Sequence, residues 1–356
     1  MFFGLFSKKE KSCLGIDFGA SGIKIVELSR EGKNRIALTN YAIGQTRMQS
    51  NIRVSKLSAD QISALLIKLF EKADIRTRQA VFSLSVGETF STIINLPQMS
   101  EEELVKAIPF QARKYVPIPI EEVVLDWSVV GEFVEQKQAA SPDSLVKSQA
   151  PEKPEEPKPD EPKQADDLLN EAQTQEIAGK KDLLAKEPKT IQVLIVAVPQ
   201  EIIRKLAQIA KKCELKVLAI EQEAFSMIRS LVGNDESTYL LVDLGQDSVD
   251  IIIMDKNSIR LTYTFETNKS FDLLAEVSRI INLYQTRHQR KVGKVILTGG
   301  GVTQSNWVEM FSSRLKIPVG IGDPFARIVH DKKLDMALKE MGPFMAVAVG
   351  GAMREI

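Results

Sequence analysis

An Asp-x-Gly turn between two apolar strands occurs twice, and this internal echo constrains the fold more than any other feature. The first copy reads L-G-I-D-F-G-A-S-G-I-K-I-V-E-L from Leu14 to Leu28, and the second reads Y-L-L-V-D-L-G-Q-D-S-V-D-I-I-I-M from Tyr239 to Met254. In the first, Asp17, Gly19, Ser21, Gly22 and Lys24 lie in and around the turn. Glycines there let the backbone approach a phosphate and aim N–H groups at it, Lys24 would neutralise phosphate oxygens, and Asp17 would hold a magnesium ion through water. A plain hairpin in which Gly19 and Gly22 only permit the turn reads equally well from one copy. The second copy sets Asp243, Gly245, Ser248 and Asp250 in a matching arrangement, with Asp243 near a terminal phosphate and available to the same metal. Two facing copies can grip a triphosphate from both sides.

A third element, V-I-L-T-G-G-G-V-T-Q-S-N-W, brings an apolar strand to Gly299, Gly300 and Gly301 before a helix. Such a flat backbone can carry a base or sugar; a tight strand-to-helix turn is the plainer alternative.

Around these motifs the periodicity predicts strands at 14–28, 35–42, 79–85, 89–96, 123–134, 191–198, 215–220, 238–243, 248–254 and 295–298, with a short one near Val319. It predicts helices at 59–72, 101–114, 200–212, 222–232, 271–289, 303–315 and 342–354, an alternation that means mixed α/β. Ser100 followed by Glu101, Glu102 and Glu103 forms a capping box, and Pro109 should kink the helix it starts.

The stretch from Glu135 to Thr190 holds seven of the fifteen prolines and no aromatic residue, so it is expected to stay disordered. Its strand-like flanks read as the two arms of an overgrown hairpin.

Lys+Arg and Asp+Glu both total 47, which gives no basic excess to point to a nucleic-acid partner. The two cysteines, Cys13 and Cys213, match no metal or disulfide spacing and suit a reducing compartment. No apolar run is long enough to cross a membrane, and no signal peptide is legible. The opening M-F-F-G-L-F-S-K-K-E-K reads either as a frayed terminus or as a weak membrane contact.

The two hairpins and the glycine strand resemble the phosphate-1, phosphate-2 and adenosine motifs of the actin and sugar-kinase superfamily, and M-A-V-A-V-G-G-A-M near the end resembles its second connecting helix. Within that superfamily the chain is similar to PilM-type proteins of type IV pilus systems. The basic start leading into L-G-I-D-F-G-A-S-G-I-K, and R-K-Y-V-P-I-P-I-E-E-V-V-L-D-W from Arg113 to Trp127, carry the similarity.

The resemblance implies an actin-like, ribonuclease H-like two-lobed fold: a tail at 1–11, a first lobe at 12–232 with an FtsA-type subdomain inserted at about 41–120, and a reduced second lobe at 233–356. It implies ATP with Mg2+ in the cleft and a cytoplasmic place at the inner face of the cell membrane. Partners would be the N-terminal tail of a PilN-like inner-membrane protein, then the assembly ATPase and platform complex. Tyr115, Pro117, Ile118 and Pro119 are the candidates for lining the tail's groove; a stiff helix-ending loop is the alternative for the prolines.

Two departures point to a scaffold rather than a turnover enzyme. Gly245-Gln246-Asp247-Ser248 is poorer in glycine than the superfamily turn and brings a carboxylate towards the phosphates. Too few residues separate Met254 from Val295 for the subdomain that covers the adenine, a loss expected between Arg260 and Phe271, and a cleft lacking one wall should bind nucleotide weakly. His288 and His330 read as surface residues, not bases. The competing readings are a small-molecule kinase, which needs a closed cleft, a GspL-like type II secretion scaffold, and an FtsA-like filament former.

Overall fold

The computed structural model describes residues 11–20, 22–32, 35–45, 54–133, 189–267, 272–304 and 306–356. In chain order, β1 (Ser12–Gly19), β2 (Gly22–Glu31) and β3 (Arg35–Gln45) lead to α1 (Ala59–Lys72) and β4 (Gln79–Leu84). Next come β5 (Phe90–Pro97), α2 (Glu101–Ala112), β6 (Val123–Phe133), β7 (Thr190–Pro199), α3 (Gln200–Lys212), β8 (Lys216–Gln222) and α4 (Glu223–Leu231). The second half holds β9 (Tyr239–Leu244), β10 (Ser248–Asp255), β11 (Ser258–Glu266), α5 (Leu273–His288), β12 (Lys294–Thr298), α6 (Trp307–Leu315), β13 (Val319–Ile321) and α7 (Asp335–Met353).

The strands form three sheets, ordered β3-β2-β1-β4-β8, β11-β10-β9-β12-β13 and β5-β7-β6. The first two have the same topology: an antiparallel three-strand meander followed by two parallel strands. The echo of the hairpins is thus an echo of whole sheets, and the arrangement is the two-lobed, actin-like α/β fold that the resemblance implies.

Helices cover the sheets where their apolar residues fall in register. Ile62, Leu66, Leu69 and Phe70 recur at helical spacing on α1, bury one stripe against β1, β2 and β4, and meet Leu206 and Ile209 of α3. A capping box between Ser58 and Gln61 starts α1, and another between Ser100 and Glu103 starts α2, satisfying end N–H groups that would otherwise lack partners. Pro109 lies inside α2 on its exposed side, where the missing donor faces water.

The other face of the first sheet is covered by the last helix. Met345, Ala348, Val349 and Ala352 of α7 join Cys13, Val26, Leu28 and Val81 in one cluster. A Cβ on Gly15 would lie 1.8 Å from the Ala348 carbonyl oxygen, and one on Gly350 would lie 1.8 Å from that of Ser226 in α4. Those two glycines let α7 wedge between β1 and α4, and because the helix is enclosed on both sides, it is apolar nearly all round. The C-terminal helix thus packs between the two sheets, with Ala346 and Val347 in a further cluster with Leu241 and Ile252 of the second.

The third sheet is grouped differently from the expected insert at about 41–120. Residues 41–45 complete β3, and α1 and β4 belong to the first sheet; the separate unit is β5, α2, β6 and β7, with Ile94, Leu104, Ile108 and Ile195 in its core. The expected disordered tract lies outside the described residues up to 188. The strands on either side of it pair antiparallel from Val123 with Pro199 to Phe133 with Thr190, so the tract joins two arms of one hairpin.

Three stretches differ from the periodicity. Residues 258–266, where the loss of a subdomain was expected to begin, form β11, which pairs along β10; six residues, 267–272, then reach α5. The final helix begins at Asp335 rather than Gly342, running through Pro343. The helix expected from Thr303 begins at Trp307, after a 3-10 turn at Val302–Gln304.

Candidate functional site

The two hairpins and the glycine strand converge on one cavity of about 970 Å³. Asp17, Gly19 and Lys24 line it from the first sheet, Asp243, Gly245, Ser248 and Asp250 from the second, and Gly299, Gly300 and Gly301 from the strand-to-helix turn.

Asp17 and Lys24 are cross-strand partners on β1 and β2, and the Lys24 Nζ donates to Asp17 Oδ2 at 2.7 Å in a buried pair. A Cβ on Gly19 would stand 2.5 Å from that ammonium, so this glycine makes room for the lysine. The ammonium also sits 4.5 Å from the centre of the Phe344 ring, a cation–π contact. Burial works against the charged lysine, but the charge and hydrogen bond of Asp17, helped by Asp243 and Glu223, hold its pKa above the ordinary value.

The second hairpin differs at the corresponding place. Asp243 on β9 faces Asp250 on β10, so two carboxylates stand where the first hairpin has an acid and an amine. Burial, then Asp250, then Asp17 raise Asp243 to about 7 against the pull of Lys24. Burial raises Asp250 to about 6, although it accepts hydrogen bonds from Thr264 Oγ1 at 2.6 Å and Ser248 Oγ at 3.4 Å. Glu223, at the start of α4, accepts the Val86 N–H at 2.7 Å, and burial together with Asp250, Asp243 and Asp17 drives its pKa well up. Among the described residues, four carboxylates thus share one cavity with one lysine.

The glycine turn is tied to both lobes. Gly299 has φ +90°, and a Cβ there would fall 2.1 Å from Asp243 Oδ1. Its N–H and the Thr298 hydroxyl both donate to the Pro343 carbonyl of α7, at 3.0 and 2.7 Å, while the Gly301 N–H donates to Leu244 O at 2.8 Å. Trp307 Nε1 donates to Gly301 O at 3.2 Å, and Trp307, Leu273 and Gln304 complete the wall on that side.

Four readings need correction or completion. Ser21 lies outside the described residues. Gly22 faces away from the cavity: a Cβ there would be 2.3 Å from Gly44 O, so it permits close pairing with β3. Asp247 is not among the residues lining the cavity; its carbonyl accepts the Thr267 N–H at 2.9 Å while Gly245 makes the tight turn. His288 is half-buried and stacks on Tyr284 at 4.8 Å, and burial lowers its pKa; His330 bonds Asp335 at 3.0 Å, and neither lines the cavity. Glu223 was not singled out in the sequence, because an acid in the first turn of a helix is ordinary there.

Tyr115, Pro117 and Pro119 are exposed beyond α2, Ile118 packs onto the third-sheet core, and an Arg113–Glu121 ion pair of 2.9 Å closes the loop. A second cavity, about 140 Å³, opens elsewhere between the third sheet and the edge of the first. Val124, Trp127 and Val196 form one side, Phe225 and Ile220 the other, with Asp126, Glu221, Gln222 and Arg354 at hand. Glu221 is clamped there by Arg229, at 2.7 Å, and by Arg354.

Among the described residues, no three His, Cys, Asp or Glu side chains come together as a metal site, and no helix is long and apolar enough to cross a membrane.

The fold matches that of a solved PilM–PilN type IV pilus biogenesis complex with a TM-score of 0.70 and 19% identity, covering 98% of this chain and 99% of that one. Two others are more distant. The cytoplasmic domain of EpsL, an inner-membrane component of the type II secretion system of Vibrio cholerae, gives a TM-score of 0.46 at 9% identity, covering 96% of this chain and 94% of that one. MreB 5 of Spiroplasma citri bound to AMPPNP gives 0.42 at 10%, covering 96% and 95%. The sequence pattern of the type IV pilus assembly protein PilM matches residues 15–153 and 263–356, most of the chain outside the second hairpin. This chain therefore belongs to the PilM family of type IV pilus assembly proteins.

Proposed function

We propose that the protein is a scaffold of the type IV pilus machine that holds the N-terminal tail of a PilN-like inner-membrane protein and carries ATP with Mg2+ in its cleft. The observation that carries this reading is the pairing of two distinct cavities in a PilM-family chain: a polar one floored by glycine turns, and a smaller one walled by apolar side chains. A volume of about 970 Å³ is ample for a nucleotide, and the missing Cβ atoms of Gly299 and Gly301 let the glycine turn that lines it pack closely on Asp243 and Leu244.

The donor set favours a metal–phosphate complex over a bare phosphate. Among the described residues the acids outnumber the single lysine, so a divalent cation accompanying the anion would favour its binding. The protein supplies no ready chelate among its described residues, so the ion would arrive on phosphate oxygens, with Asp17 and Asp243 reaching it through water. Lys24 would exchange part of its bond to Asp17 for phosphate oxygens. Trp307 and Leu273 offer an apolar wall for a base. Adaptor work, not turnover, is what we assign; the assembly ATPase and the platform complex are the further partners, and the inner face of the cell membrane is the place.

For the tail, the slot between Trp127 and Phe225 is a better receptor than the Tyr115–Pro119 loop, because it has two walls and buried polar groups to fix orientation. The residue at the slot's end, Arg354, follows the helix whose Phe344 and Val347 line the nucleotide cavity, and Glu223 of that cavity adjoins Gln222 of the slot. Occupancy of one cavity would thereby bias the other.

The chain's two tryptophans provide the test, since Trp127 lines the slot and Trp307 the cleft. In a Trp307→Phe variant, a PilN-like N-terminal peptide should shift the remaining emission; in a Trp127→Phe variant, a non-hydrolysable ATP analogue with Mg2+ should do so, and Lys24→Met should abolish it. No saturable peptide signal at high micromolar concentration would sink the partner assignment. No nucleotide signal at millimolar concentration would leave a fixed adaptor.

A further inference from the structure

The floor of the smaller cavity is one face of the third sheet. Val124, Asp126 and Ser128 alternate along β6, and their cross-strand partners on β7 are Val198, Val196 and Leu194, so a carboxylate stands in the middle of a largely apolar surface. The facing wall comes from β8, the edge strand of the first sheet, and from Phe225 of α4. At about 140 Å³ the slot is too small for a folded element and suits the side chains of an extended segment.

Two polar atoms here lack a partner. Asp126 Oδ1 accepts the Trp127 N–H at 3.0 Å, whereas Oδ2 makes no hydrogen bond or ion pair among the described residues. Burial raises the pKa of this carboxyl against that N–H. Gln222, only 3% exposed, donates through Nε2 to the hydroxyl oxygens of Thr89 at 2.5 Å and Ser91 at 3.5 Å. The Thr89 hydroxyl itself donates to the Val86 carbonyl at 3.2 Å, so it must accept from Gln222, and this fixes which end of the amide is left over. That end, Oε1, is buried with no hydrogen-bond partner among the described residues. A buried acceptor left empty carries its full desolvation cost, which a donor on a bound ligand removes.

The charges decide what kind of donor fits. Glu221 is matched by Arg229 at 2.7 Å and by Arg354, and Arg354 in turn bonds Glu355 at 3.2 Å. Those two acids and two bases cancel, so the net charge of the described lining residues and their ion-pair partners is that of Asp126. An acidic segment would meet a carboxylate with no cation to spare. A wholly apolar one would bury Asp126 Oδ2 and Gln222 Oε1 unpaired. A cation bearing several N–H groups answers both acceptors, and its aliphatic stem suits the apolar walls. Cytoplasmic segments beside a membrane span are rich in Lys and Arg, so such a side chain is ordinary in the tail of an inner-membrane protein.

We propose that Asp126 and Gln222 make the slot selective for a basic residue of the bound segment, a Lys or Arg that donates to Asp126 Oδ2 and Gln222 Oε1 while its stem lies against Val196 and Phe225. This rests on the reading of the slot as the receptor of the tail, and it adds which side chain of the tail is read and by which groups.

The test is fluorescence anisotropy of the full chain with a PilN-like N-terminal peptide, acetylated at its first residue and labelled with fluorescein at its last. It is compared with the same peptide in which citrulline replaces Arg and norleucine replaces Lys, which removes the charge and keeps the stem. The basic peptide should bind about tenfold more tightly than the neutral one. Asp126→Asn keeps an oxygen for the Trp127 N–H, so its thermal midpoint should be equal to the parent's or higher. It should weaken the basic peptide by about the same factor and leave the neutral one unchanged, and Gln222→Met should narrow the preference too. Equal affinity of the parent chain for both peptides, a loss at Asp126→Asn shared by both, an unchanged preference in Gln222→Met, or saturable binding of a tail that has no Lys or Arg would each overturn the selectivity and leave the receptor reading standing. If neither peptide saturates at high micromolar concentration, the receptor reading falls and this inference with it.

Discussion

The first and second sheets share strand order and meander, yet their hairpins carry opposite electrostatics. On β1 and β2 the cross-strand pair is Asp17 with Lys24; on β9 and β10 the same positions hold Asp243 and Asp250. Two residues earlier, Gly15 corresponds to Leu241, the one admitting α7 and the other packing in an apolar cluster with Ala346 and Val347 of that helix. Beside the acid pair, β11 offers the Thr264 hydroxyl; beside Lys24, β3 offers only Ile43. One half is neutralised internally by an ion pair. The other sets two buried carboxylates face to face, and their burial and mutual repulsion disfavour the charged forms.

That contrast can be broken by exchanging its elements. Gly15→Val should have the largest effect, because the new Cβ would overlap the Ala348 carbonyl; the chain should fail to accumulate in soluble form or lose about 4 kcal/mol or more, read from its urea midpoint. A well-folded variant would mean that α7 is not seated as described. Lys24→Met comes next: it leaves the Asp17 carboxylate buried without a counter-charge, at a cost of about 3–5 kcal/mol.

Asp250→Asn should act in the opposite direction. Asp243 and Asp250 have folded pKa values raised to about 7 and about 6, so each favours folding when protonated and loses that contribution as pH rises through its folded value. Below about pH 4 both are protonated folded or unfolded, and the variant should equal the parent. Above about pH 7 the variant should be more stable by about 1–2 kcal/mol, because the repulsion is gone, and Asp243 should titrate lower. Chemical denaturation across that range measures the first, and carboxyl NMR the second; a variant less stable at high pH would show that Asp250 is needed as an anion. Thr264→Val should be the smallest change, about 1 kcal/mol, and should raise the Asp250 pKa further by removing a donor to its charged form.

The sequence displayed the neutral half of this contrast more plainly than the charged one. Helices 59–72 and 200–212 were legible to the residue because their apolar stripes are regular and their ends are marked, by a capping box at Ser58 and by the Pro199 that precedes Gln200. The convergence of both hairpins on one cavity followed from the repeat, and that of Gly299 to Gly301 from the family resemblance. Asp250 appeared only as part of a pattern, since the harm of two facing acids depends on register and burial. Glu223 carried no signal at all. Strand β11 alternates clearly in S-I-R-L-T-Y-T-F-E, but was set aside as the scar of a lost subdomain. The last helix was expected from Gly342, whereas α7 starts at Asp335 and tolerates Pro343 in mid-helix, the proline carbonyl accepting from Thr298 and Gly299. The slot near Trp127 is formed by residues far apart in the chain, a juxtaposition that no local pattern encodes.

The wedge of α7 also governs how the chain can be made. Translation delivers β1, β2 and β4 first, while the helix that covers their Cys13, Val26, Leu28 and Val81 surface is synthesised after all thirteen described strands. At usual elongation rates that surface waits on the order of tens of seconds for its cover. Over this interval the Cys13 thiol lacks the helix that buries it, and its reactivity towards a maleimide would serve as a clock for the seating of α7.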